Sequence, residues 1–99
     1  MTITDPVTGV LEDAWELDPA VALRPEPFGA LAYNFHTRQL TFLKTPELAA
    51  VVGRLADSTD LREALIAGGV PDAQWEAYAG AVRSLASTGM VRRRQEPLA

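Results

Sequence analysis

The 99-residue sequence has no cysteine, one histidine and one lysine, and each scarcity closes off chemistry. Without cysteine there are no disulfides, no iron–sulfur ligation, no thiolate nucleophile and no cysteine-bearing zinc site. His36 is the only imidazole, so a transition-metal centre has no second nitrogen ligand, and no cofactor is expected. No stretch approaches the roughly 20 apolar residues of a membrane span. The acidic, proline-bearing N-terminus lacks the basic and apolar regions of a secretory signal, so the expected location is the cytoplasm, with no membrane partner.

Catalytic motifs are absent as well. There is no Gly-x-Ser-x-Gly elbow, no glycine-rich phosphate loop and no His-Glu-x-x-His, and Gly68-Gly69 is explained as a helix stop. His36 lies in a turn with only Thr37 beside it, without an orienting partner. The acidic pairs Glu12-Asp13 and Glu16-Asp18 lack the spacing and glycine of a calcium loop. Nothing points to an enzyme.

What is present describes one small domain with a single core: 47% of residues are hydrophobic and 22% charged. Thirteen acids against nine bases give a net charge of −4, the wrong sign for a domain that neutralises phosphates. The imbalance is local. Residues 1–31 hold six acids and one base, whereas the C-terminal end carries Arg92, Arg93 and Arg94. Residues 1–14 read as a flexible, solvated acidic arm and residues 92–99 as an exposed basic tail, leaving 15–91 as the folded domain.

Within that domain Val21 to Arg24 form a strand candidate ended by Pro25 and Pro27. Leu31, Tyr33 and Phe35 then alternate with small or polar residues, His36-Thr37-Arg38 reverses the chain, and Leu40 and Phe42 continue the alternation. Ala30 to Leu43 is therefore a hairpin whose buried face is expected to be Leu31, Tyr33, Phe35, Leu40 and Phe42. Thr45 and Pro46 open a helix with Leu48, Val51, Val52 and Leu55 on one stripe. Ser58-Thr59 caps a shorter one ended by Gly68-Gly69. Pro71-Asp72 opens a third, with Trp75, Tyr78, Val82 and Leu85 as its core stripe and Gly89 as its stop. Glu76, Ala79, Arg83, Ala86 and Ser87 are assigned to its remaining faces, and Met90-Val91 to a final extended segment. Three strands followed by three helices make an α+β fold.

The stretch Tyr33-Asn34-Phe35-His36-Thr37-Arg38-Gln39-Leu40-Thr41-Phe42-Leu43-Lys44, the Thr-Pro-Glu-Leu helix start after it and the closing Leu85-Ala86-Ser87-Thr88-Gly89-Met90-Val91 resemble the mycofactocin-biosynthesis peptide chaperones. These are PqqD-like recognition elements of ribosomally made, modified peptides. The resemblance, covering about Trp15 to Val91, implies a winged helix-turn-helix with a three-stranded antiparallel sheet and three helices, not used on DNA. It implies a non-catalytic protein that holds the leader of a precursor peptide and delivers it to a radical S-adenosylmethionine maturase. The leader adds as an extra strand beside the third strand, Gln39, Leu40, Thr41, Phe42 and Leu43, against a helical wall of Glu76, Ala79, Arg83 and Ser87. The competing reading is a winged-helix nucleic-acid binder, whose third helix would present several outward bases where this one offers only Arg83.

Overall fold

A computed structural model describes residues 6–94. In chain order its elements are helix α1 (Pro6–Glu12), strands β1 (Trp15–Leu17), β2 (Val21–Glu26), β3 (Gly29–Asn34) and β4 (Leu40–Leu43), helices α2 (Pro46–Gly53), α3 (Leu61–Ala67) and α4 (Trp75–Ser87), and strand β5 (Val91–Arg93). The α+β class stands. A three-stranded antiparallel sheet in the order β2-β3-β4 is joined by a two-stranded one in which β1 pairs with β5.

The hairpin forms as the alternation dictates, with Leu31 opposite Phe42 and Tyr33 opposite Leu40. Its faces are the reverse of the expectation. The small residues Ala30 and Ala32, together with Asn34 and Leu43, are buried, while Phe35, Leu40 and Phe42 are exposed on the other side. The helices pack closely over the alanines, joining them in one core with Val51, Val52 and Leu55, and large rings would hold the layers apart. Gly29 starts β3 at φ +155°, where a Cβ would collide with the Leu43 carbonyl, so only glycine lets the strand run this close to the β4–α2 junction.

The helix boundaries follow local chemistry. Thr45 Oγ1 accepts from the Leu48 N–H at 3.0 Å at the start of α2, with Pro46 in the first turn. At α3 the cap is Asp60, one residue beyond the expected Ser58-Thr59; its Oδ1 accepts from Glu63 N–H while Glu63 Oε1 accepts from Thr59 N–H. The third long stripe behaves as read, with Val82 and Leu85 buried and Trp75 and Tyr78 packed against the core. Gly89, at φ +79°, ends α4 in a Schellman motif: Met90 N–H donates to Leu85 O at 2.8 Å and Gly89 N–H to Ala86 O at 3.2 Å.

Three further expectations are corrected. The described part of the acidic arm is not loose: α1 packs on α3 and α4, Val10 and Leu11 are buried, and the Trp15 indole N–H donates to Val10 O at 3.0 Å. Tertiary burial overrides the weak helix propensity of this segment. Pro25 does not end β2, which continues to Glu26 because it is an edge strand, where a residue without an N–H is tolerated. Nor do Arg92, Arg93 and Arg94 form a frayed tail. Arg92 pairs with Glu16 at 2.7 Å and Arg93 with Asp13 at 2.9 Å, while Arg94 donates to the carbonyls of Ala56, Ser58 and Thr59. The acidic and basic ends answer one another, and residues 95–99 lie outside the described part.

Candidate functional site: the β4 edge and the cleft against α4

Among the described residues β4 pairs with β3 on one side only. Asn34 N–H donates to Gln39 O at 3.0 Å, which fixes the ladder phase: with Ala32 opposite Thr41 and Ala30 opposite Leu43, these become the hydrogen-bonded pairs. The amides and carbonyls of Leu40 and Phe42 therefore face the free edge. This is the arrangement that accepts an added strand.

That edge opens onto a cleft of about 190 Å³ lined by Thr41, Phe42 and Leu43 from β4, Leu48 from α2, and Ala81, Ser84, Leu85 and Thr88 from α4. A second cleft of about 290 Å³, lined by Thr45, Leu48, Gln74, Ala77, Tyr78 and Ala81, continues along α4. The two meet at Leu48 and Ala81. Backbone valence is thus offered on one wall and apolar side-chain room on the other, which suits an extended peptide. The width of the gap is held from its far end, where Asn34 ties the hairpin to the terminus of α4.

The expected docking strand divides by position. Leu40 and Phe42 present the free backbone, Thr41 and Leu43 spend theirs on β3 and turn their side chains inward, and Gln39 precedes the strand with its carbonyl taken by Asn34. The expected helical wall is largely displaced. Ala79 is fully buried in the core: it lies four residues after Trp75 and three before Val82, on the stripe those residues define. Glu76 is exposed on the first turn of α4, and Arg83 and Ser87 border a neighbouring cleft with Gly80 and Ser84, which shares only Ser84 with the cleft at β4. The wall that faces β4 is Ala81, Ser84 and Thr88, small residues at helical spacing, and Ala77 extends it along the second cleft toward Thr45 and Leu48. That spacing was legible in the sequence but overshadowed by the aromatic stripe beside it.

Comparison with known proteins agrees along the chain. The profile of the Peptide chaperone MftB family matches residues 14–92. The chain is 49% identical over 81 residues to a "Peptide chaperone MftB" of Mycobacterium tuberculosis, covering 82% of this chain and 74% of that protein. To its namesake in Mycolicibacterium smegmatis it is 44% identical over 89 residues, covering 90% and 87%. No solved structure matches the chain. With the matched residues running from just before β1 into β5, the chain belongs to the Peptide chaperone MftB family, a family with a non-catalytic, peptide-holding role.

Proposed function

We propose that the protein holds the leader of a ribosomally made precursor peptide and delivers it to a radical S-adenosylmethionine maturase in mycofactocin biosynthesis. The leader adds antiparallel or parallel to β4 at the free backbone of Leu40 and Phe42, and its alternate side chains enter the cleft toward Leu48 and Ala81. The observation that carries this reading is the β4 edge, unpaired among the described residues, opening directly onto an apolar cleft against α4. The recognition unit is residues 15–91 in a winged helix-turn-helix arrangement, working in the cytoplasm, with α1 and Arg92–Arg94 bracing it. Among the described residues no helix is long and apolar enough to cross a membrane. The nucleic-acid reading gains nothing, since Arg92 and Arg93 are engaged by Glu16 and Asp13.

Calorimetry with a synthetic leader peptide tests the proposal. One-to-one binding is expected, with perturbed amide resonances confined to β4 and the facing side of α4. Perturbations on α3 or at the Arg83–Ser87 cleft, with β4 unmoved, would place the peptide elsewhere.

A further inference from the structure

All three phenylalanines of the chain lie on the sheet face turned away from the helices. Phe28 is 42% exposed, Phe35 63% and Phe42 55%, and Leu40 beside them 49%. The register places Leu31 and Tyr33 on the same side. The rings touch in pairs, Phe28 with Phe42 at 5.7 Å between centroids and Tyr33 with Phe35 edge-on at 5.0 Å, and the cross-strand pairs of Leu31 with Phe42 and of Leu40 with Tyr33 place the two leucines between them. Folding does not account for it, because the core is on the opposite face. Monomeric proteins rarely leave such a surface uncovered, and aromatic side chains are enriched where another protein docks.

Its rim has a sign. Arg24 is opposite Leu31 and Lys44 is two residues past Phe42, which puts both on this face, and Arg38 is exposed in the loop joining β3 to β4. Glu26 is the only acid in the three strands, and Arg24 holds it at 3.4 Å. In a chain of net charge −4 this border is basic. Two copies set face to face would bring like charges together, whereas a carboxylate-rimmed apolar surface complements both the centre and the border.

We infer that this face is a second docking surface, meeting the β4–α4 cleft only at Phe42, for a folded protein surface with an apolar centre and an acidic rim. The inference rests on the delivery reading above: a carrier that hands over a peptide needs one contact for the peptide and another for the enzyme that receives it. Leu40 and Phe42 belong to both the free edge and this face, so a protein seated here lies against the bound leader.

The test uses the full chain titrated separately with leader peptide and with the purified maturase. The Phe28→Ser, Phe35→Ser double variant changes exposed residues outside β4 and outside the cleft. It should bind leader within about twofold of the parent and maturase at least about tenfold more weakly. Arg24→Glu leaves the apolar patch intact and should weaken maturase binding by an amount that shrinks as salt is raised. Parental maturase affinity in both variants, or a parent that binds no maturase, overturns the inference. So does loss of leader binding instead, which gives the face to the peptide, or a parental dimer made monomeric by the double variant with maturase affinity unchanged, which gives it to a second copy. A parent that binds maturase but no leader defeats the leader-holding reading, while the variant losses still support this face.

Discussion

The Asn34 side chain joins the hairpin to the end of α4: its Nδ2 donates to Gly89 O at 2.8 Å, and its Oδ1 accepts from the N–H groups of His36 at 2.8 Å and Thr37 at 3.1 Å. One buried amide therefore shapes the turn after β3 and sets how far β4 stands from the helix it faces. Replacing it with alanine strands three backbone groups. Asn34→Ala should lower unfolding free energy by about 2 kcal/mol in urea denaturation, since unmade buried hydrogen bonds cost more than made ones contribute. Asn34→Asp keeps the acceptor but loses the donor toward Gly89 O, and should also be less stable than the parent.

A proline scan along β4 should separate two classes. Thr41→Pro removes an N–H committed to Ala32 and should unfold the hairpin, read as lost cooperativity in thermal melts. Leu40→Pro and Phe42→Pro remove edge N–H groups and should fold but bind leader peptide about fivefold more weakly per lost bond, roughly 1 kcal/mol. Undiminished leader binding by both folded edge variants would exclude strand addition at β4.

Filling the cleft should block it. Ala81 lines both cleft sections, and Ala81→Phe projects a ring into the space where they meet. Leader affinity should drop at least about tenfold with the melting temperature little changed. Arg83→Glu is the matched control: Arg83 borders the neighbouring cleft instead, so leader affinity should move by less than about twofold.

Arg94 clamps the chain between α2 and α3. Its guanidinium donates to Ala56 O at 2.7 Å, Ser58 O at 2.6 Å and Thr59 O at 2.9 Å, while its own N–H donates to Ala14 O at 2.9 Å. Arg94→Ala should cost about 2 kcal/mol in urea denaturation. Arg94→Lys should recover less than half, because a point charge cannot serve three carbonyls spread around a planar fork.

Much of this was legible beforehand. The Thr45-Pro46 start, the Gly89 stop and the hairpin with its turn at His36-Thr37-Arg38 are all local chemistry, and local chemistry is written in neighbouring residues. The short pairing of β1 with β5 was missed because Trp15–Leu17 finds its partner more than seventy residues away, at Val91–Arg93. Helix α1 was missed because Val10 and Leu11 are held by α3 and α4, not by their own propensity. At the site, alternation finds β4 as a strand, but the helical wall expected at Glu76, Ala79, Arg83 and Ser87 differs from the residues that line the cleft with β4, Ala81, Ser84 and Thr88, with Ala77 in the adjoining cleft. Those small residues carry no signal until something is seen opposite them.

The hairpin shows where the division falls. Alternation by itself determined that Leu31, Tyr33, Leu40 and Phe42 share one face and Ala30, Ala32, Thr41 and Leu43 the other, because successive side chains of a strand point to opposite sides. Only the tertiary structure decided which face meets the core. The helices come close where the sheet offers alanines, and the ring-bearing face is left to the solvent side. Periodicity is a property of the backbone and survives any packing; the choice between two apolar faces depends on the shape of what packs against them, which no strand carries in its own sequence.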